Sequence, residues 1–179
     1  MQDKELLEKF NNPDSKNYAF NLLVRKYQEK IYWHVRKMVY EHEDANDITQ
    51  DIFIKIWKNL HKFNQKSSLY TWIYRIATNE CLSFLQKKKR KLFGGGTEIN
   101  EELINKLVAN DQLSGDEVQI KLQKAITTLP DKQRLIFNMK YFEEMKYEQI
   151  SEIVGTSVGA LKASYHHAVK KIETFLNTN

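Results

Sequence analysis

At 179 residues the chain has room for one ordinary domain or two small ones, and 41% hydrophobic with 12% aromatic residues favours folded cores over disorder. A net charge of +5 and a pI near 9.1 permit nucleic-acid binding. Cys81 is the sole cysteine, which excludes an intramolecular disulfide and fits an intracellular life. The start of the chain is polar from Gln2 to Glu5, with no signal-peptide pattern, and no segment approaches the roughly 20 apolar residues of a membrane span. A soluble, cytoplasmic protein is the expectation.

Two prolines and six glycines leave long stretches free for helix. Phe20, Leu23, Val24, Tyr27, Ile31, Val35 and Met38 step by threes and fours and predict a helix over about residues 17–40. A second is predicted over about 44–60 and a third over about 69–88, with Ile73, Ile76, Ala77, Phe84 and Leu85 inward. No stretch alternates with period two. The run Lys87-Lys88-Lys89-Arg90-Lys91, followed by Gly94-Gly95-Gly96, breaks the pattern and opens a linker to about residue 115. Ile99, Leu103 and Leu107 fit a short helix within it, over about 99–113.

A second domain begins near Asp116. Val118, Leu122 and Ile126 start a helix that Pro130 stops, and Gln133 to Phe142 forms the next. A short helix over about 147–154, a turn at Gly155-Thr156-Ser157 and a long final helix to about 175 complete it. Gly155 suits a left-handed helix cap and Ser157 can cap the helix that follows, which together describe a helix-turn-helix. The fold class expected is therefore all-α: two small helical domains joined by a flexible linker, with boundaries at 1–91, 92–115 and 116–179.

The most informative segment is Asp44 to Trp57. Ala45, Ile48, Ile52 and Ile56 form one apolar stripe, while Asp47, Gln50, Asp51 and Ile54 form a second, acidic face with an apolar residue in it. Phe53 and Trp57, four apart, lie on a flank between them. Such a face suits docking against a basic partner helix. The competing reading is that the aromatics are core and the acids favour the positive helix N-terminus.

Between the second and third helices, His61, Lys62, Phe63, Lys66, Tyr70, Trp72, Tyr74 and Arg75 interleave basic and aromatic side chains, a mixture that suits single-stranded DNA. Trp72 and Tyr74 fit a core role equally. On the last helix, Val158, Leu161, Tyr165, Ala168, Ile172 and Phe175 form the inner side, so Lys162, Ala163, His166, His167 and Lys170 lie wholly or partly outward. In a helix-turn-helix the second helix enters the major groove, where Lys162 reaches a phosphate or a guanine edge and the histidines reach bases or phosphates. The basic run Lys87 to Lys91 is either a source of phosphate affinity or a solvated linker end. No phosphate loop, zinc-protease spacing or paired-cysteine spacing is present, and the adjacent His166 and His167 point about 100° apart, which is wrong for a metal. No cofactor, no metal and no enzymatic activity are expected.

These segments resemble a family. Asp-Ala-x-Asp-Ile-Thr-Gln-Asp-x-Phe-x-x-x-Trp, from Asp44 to Trp57, is similar to the core-binding segment of bacterial RNA polymerase sigma factors of the small extracytoplasmic-function class. Phe63 with Leu69 to Asn79 resembles that family's promoter-melting segment, and Leu129 to Arg134 with Tyr147 to Lys162 resembles its C-terminal helix-turn-helix. The resemblance implies a sigma factor that directs promoter recognition and transcription initiation. It implies contact with the clamp coiled coil of the largest polymerase subunit through Asp47, Gln50, Asp51, Ile54 and Trp57. Phe63, Tyr70, Trp72, Arg75 and Asn79 would serve the minus-ten element, with Asn79 a base contact and Arg75 a phosphate contact or an internal partner. Lys162, Ser164, His166, His167 and Lys170 would serve the minus-thirty-five element. Members of the class often carry arginine where Ser164 stands, so this surface is less basic and leans on the histidines and Lys162. Many are held by an anti-sigma protein, which no residue here identifies. The alternative is a helix-turn-helix regulator that is not a polymerase subunit, which would need neither the acidic helix nor the aromatic loop.

Overall fold

A computed structural model describes residues 2–93 and 117–178, with the backbone alone at 92 and 93. Among the described residues there are eight α-helices and no strands. The candidate short helix over 99–113 lies outside them.

The first helix, α1 (Asp3–Phe10), has no counterpart in the sequence reading. It is held at its start by a capping box between Gln2 and Glu5, and buries Leu6 and Phe10, one turn apart. With Leu7 between them, three apolar residues are too few to announce a period. Helix α2 (Lys16–Val39) buries Leu23, Tyr27, Ile31, Val35 and Met38 of the expected stripe and Ala19 besides, and leaves Phe20 and Val24 half-buried. Tyr40 stops it in a left-handed conformation, φ 64°. Helix α3 (His42–Asn59) turns back along α2, continues into a 3-10 turn (Leu60–Lys62), and leads to α4 (Leu69–Phe93). The Ser68 hydroxyl accepts the Thr71 amide at 3.1 Å, an N-terminal cap.

Helix α4 runs straight through the lysine run, past the end that the sequence suggests. The run persists as helix because distant acids take up its charges. Lys88 bonds Glu41 at 3.0 Å and Asp44 at 2.7 Å, and Lys89 bonds Asp131 at 2.8 Å. Burial works against the Lys88 charge, but the bonds to Asp44 and Glu41 outweigh it and hold its pKa above the ordinary value.

The second half comprises α5 (Glu117–Thr127), α6 (Asp131–Tyr141), α7 (Tyr147–Val154) and α8 (Val158–Thr178). Gly155 takes a left-handed conformation at φ 72° and donates its amide to the Ser151 carbonyl at 2.9 Å, as a helix C-cap must. Ser157 accepts the Ala160 amide at 3.3 Å and so opens α8. Helices α7 and α8 form the helix-turn-helix. A local core of Ala125, Ile126, Leu129, Phe137, Ala168 and Ile172 holds α5, α6 and α8 together.

The two halves also share a core. Leu135, Ile136 and Met139 of α6, Met145, Ile150 and Ile153 about α7, and Leu161 of α8 pack into one apolar cluster with the buried residues of α1 to α4. Polar groups cross the same boundary. The last carbonyls of α2 have no partner within the helix. Met38 and Lys37 carbonyls instead accept from Arg134 at 3.2 Å and from Asn138 at 3.4 Å, both on α6. His34, fully buried on α2, lies between Glu143 at 2.8 Å and the Thr78 hydroxyl at 3.1 Å. A carboxylate only accepts, so Nδ1 carries the proton, and in the neutral ring Nε2 accepts from Thr78. The Tyr74 ring meets His34 edge-on at 5.0 Å. Burial, then the nearby Glu143 charge, push the Tyr74 phenol well above its ordinary pKa.

Glu143→Ala should therefore destabilise the chain by about 1–3 kcal/mol, because a buried imidazole N–H loses its acceptor. Since the bond crosses between the halves, calorimetry should show the single cooperative transition of the parent broaden or split. An unchanged transition would mean that water satisfies His34 and the contact holds nothing.

Candidate functional site

Three surfaces carry the residues singled out above. On α3, Ala45, Ile48, Ile52 and Ile56 are buried against α2 and α4, while Asp47, Gln50, Asp51 and Ile54 point to solvent. Asp47, Gln50 and Asp51 have no ion pair or hydrogen bond to another side chain among the described residues, whereas Asp44 on the same helix is paired with Lys88. Ile54 is 49% exposed among these acids. An exposed apolar side chain beside two aspartates and an amide without a side-chain partner among the described residues is a poor solvated face, and it suits a cationic partner with an apolar seam.

Trp57 is placed differently from that row. Its ring is half-buried, meeting Phe10 edge-on at 5.6 Å and Phe20 at 4.9 Å, with the Lys16 ammonium 4.7 Å above it. Phe53 is buried. These aromatics fix α3 against α1 and α2, and Trp57 offers only an edge to the outer surface. The sequence could not show this, because the rings that enclose Trp57 come from two other helices.

The second surface begins at the loop before α4. Phe63 and Trp72, both half-buried, are in tilted contact at 5.4 Å. Trp72, Arg75 and Asn79 follow at three- and four-residue steps, so they share one face of α4, on which Arg75 and Asn79 are exposed. Tyr70 stands about 200° away in helical phase from Trp72. It stacks on Tyr74 at 4.3 Å and meets Tyr27 at 6.5 Å. The structure thus groups Phe63 with Trp72, Arg75 and Asn79, and sets Tyr70 apart. His61, Lys62 and Lys66 are exposed around the loop. Arg75 donates to the Glu152 carbonyl of α7 at 2.7 Å, which makes it an internal partner of a backbone carbonyl in this arrangement. Lys88 and Lys89 are engaged by acids as described, which leaves Lys87, Arg90 and Lys91 as the members of the basic run without an ion pair among the described residues. Cys81 is fully buried, and burial pushes its thiol up to about 12, so it stays protonated at neutral pH.

The third surface is the outer side of α8. Lys162, His166 and Lys170 form a row of i, i+4 neighbours, all exposed, with Ala163 and His167 beside them. Ser164 is half-buried at its edge. Leu161, Ala168 and Ile172 hold the opposite side in the core. Lys162 rests 5.8 Å from the centre of the Tyr147 ring. Among the described residues no cluster of three or more histidine, cysteine or acidic side chains is arranged to hold a metal ion, and no helix is long and apolar enough to cross a membrane.

Comparison with known proteins bears on all three surfaces. Residues 23–91 match the family model for sigma-70 region 2 and residues 119–172 the model for sigma-70 region 4. The chain is 33% identical to the ECF RNA polymerase sigma factor SigW of Bacillus subtilis, over 83% of either chain. It is 29% identical to the RNA polymerase sigma-H factor of Pseudomonas aeruginosa, covering 98% of this chain and 94% of the relative. Among solved structures, the sigma factor RpoE bound to the anti-sigma factor NepR from Bartonella quintana superposes with a TM-score of 0.68 at 21% identity, over 89% of this chain and 98% of that one. CnrH in complex with the cytosolic domain of CnrY gives 0.69 at 18% identity, over 99% and 98%. The last two establish the fold alone. The acidic face of α3 and the aromatic face of α4 fall inside the region 2 match and the exposed row of α8 inside the region 4 match, and the chain belongs to the extracytoplasmic-function sigma factors of bacterial RNA polymerase.

Proposed function

We propose that this sigma factor, which associates with polymerase to direct promoter recognition, docks on the core enzyme through Asp47, Gln50, Asp51 and Ile54, with the edge of Trp57 closing the surface. The observation that carries this is the exposed Ile54 in one row with Asp47, Gln50 and Asp51, which have no side-chain partner among the described residues. The partner on the polymerase would be the clamp coiled coil of the largest subunit, so the protein works in the bacterial cytoplasm. Residues 1–91 serve core binding and the minus-ten element, residues 92–115 link, and residues 116–179 read the minus-thirty-five element. The family is generally non-enzymatic, and nothing here requires turnover of a substrate. An anti-sigma partner is also proposed, since the similar sigma factor RpoE is seen bound to the anti-sigma factor NepR.

Promoter engagement asks for a different arrangement of the halves. The two elements are centred about 25 base pairs apart, roughly 85 Å along the duplex at about 3.4 Å per pair. Helix α7 lies directly on α4, and Arg75 is bonded to Glu152, so both elements cannot be met without parting the halves. From residue 93 to residue 117 the chain can span at most about 80 Å when extended. That reach is of the right order once the width of each domain is added. Parting releases Arg75 for a phosphate, one turn from the already exposed Asn79.

Asp47→Ala combined with Gln50→Ala should weaken binding to purified core polymerase by removing charged and amide contacts worth about 1–3 kcal/mol each. Helix content by circular dichroism should be unchanged, because neither side chain is packed. Wild-type affinity in the double variant would place the docking surface elsewhere.

The grouping on α4 makes a sharper statement about opening. Phe63→Ala and Asn79→Ala holoenzymes should form closed complexes on duplex promoters yet show little permanganate reactivity of thymines near the start site. Stacking on an aromatic contributes about 1–3 kcal/mol per unpaired base. A pre-melted template should restore part of the activity. Tyr70→Phe, whose ring stacks on Tyr74 away from that face, should open duplex DNA normally. Normal opening by Phe63→Ala and Asn79→Ala would show that these residues only pack.

A further inference from the structure

Tyr147, the first residue of α7, carries two cations on one ring. The Lys140 ammonium lies 4.9 Å from its centroid and the Lys162 ammonium 5.8 Å. The ring is only half-buried, so these contacts lie at the domain surface. It is also fixed. Tyr165 meets it edge-on at 6.4 Å, and Tyr165 in turn stacks on the buried Phe137 at 5.8 Å and 16° between planes. The platform is therefore anchored in the local core of the helix-turn-helix domain.

The two lysines are not equivalent. Lys140 is tethered, because its ammonium also donates to the Met145 carbonyl at 3.1 Å. Lys162 has no carboxylate within salt-bridge distance among the described residues, and it stands at the head of the exposed row with His166 and Lys170. A free lysine side chain surrenders much rotamer freedom when it settles on a ligand. An aromatic face that already holds the ammonium near its working position lowers that loss.

We propose that Tyr147 is a positioning residue for promoter reading, a ring that pre-orders Lys162 for the upstream DNA element without contacting a base itself. The inference rests on the reading of α8 as the helix that enters the major groove at that element. It assigns a role to the first helix of the motif beyond packing, because an apolar side chain without a ring at position 147 would hold no cation.

The test uses holoenzyme assembled from bacterial core polymerase and the full chain. The probes are the duplex that wild-type holoenzyme enriches from a pool randomised at the upstream element, and a scrambled version of it. Preference for the first over the second is the readout, and core affinity is measured alongside. Tyr147→Phe keeps the ring and should retain the wild-type preference. Tyr147→Leu should reduce it about two- to fivefold, the range for an exposed cation–π contact. Replacement of Tyr147 by pentafluorophenylalanine keeps the shape but reverses the charge distribution of the ring, so it should fall with the leucine variant even if leucine perturbs folding. In a Lys162→Ala background all three should be alike. An equal loss in both backgrounds, or a pentafluorophenylalanine variant that matches Tyr147→Phe, would overturn the proposal and leave Tyr147 as packing. Absence of any enriched sequence with wild-type holoenzyme, at normal core affinity, would instead remove the reading of α8 on which the proposal stands, and the proposal with it.

Discussion

A helix that ends inside a protein must find partners for its last carbonyls, and the C-terminal end of α2 ends between the two halves of this one. Arg134 and Asn138 supply donors to the carbonyls of Met38 and Lys37, while His34, one turn earlier, is satisfied by Glu143 from one half and Thr78 from the other. Leaving such groups buried and unpaired would cost about 1–3 kcal/mol each. The requirement fixes where α6 sits. Through the short connection to α7 it also fixes the helix-turn-helix on α4. The apolar cluster that crosses the boundary follows from that placement.

The same polar character makes the boundary reversible. A guanidinium, an amide and an imidazole can all be satisfied by water when the halves part, so the polar part of the interface stores little penalty against opening. The apolar part opposes opening through the water it would readmit to Met139, Ile150 and Ile153. A sigma factor needs such a balance. Under the proposed function it would be stable as a free chain and would release α4 once polymerase and promoter are present. Helix α3 stands outside this exchange. Its inner stripe is buried against α2 and α4 and its outer row is exposed in the closed arrangement, so the docking proposed for that row would need no prior opening.

Much of this was legible in the residues, for reasons that also explain what was not. Helices α2 and α3 carry four or more apolar residues in phase, and Gly155 with Ser157 punctuates the helix-turn-helix so sharply that both of its helices were predicted to within a few residues. The outward row of α3 was legible because four-residue spacing fixes a face regardless of partners. Helix α1 was missed because eight residues, three of them apolar, carry no period. The lysine run read as a helix end because like charges repel, while Glu41, Asp44 and Asp131, which neutralise two of them, lie at least forty residues away in sequence. The packing around Trp57 was out of reach for a similar reason, since Phe10 and Phe20 close on it only in three dimensions. The separation of Tyr70 from Trp72 follows from helical phase and was within reach of the sequence. The packing of one half on the other was not, since no local pattern encodes a contact between His34 and Glu143.

The central claim is that this chain confers promoter choice on polymerase rather than acting on DNA alone. Run-off transcription by purified bacterial core polymerase from a library of random fragments, with the 5′ ends of the products sequenced, tests it directly. The account predicts that adding the chain produces transcripts whose starts lie downstream of one shared two-part motif, and that core alone or the chain alone produces none. Selective binding of such fragments by the chain without polymerase, with no new transcript starts when polymerase is supplied, would contradict it.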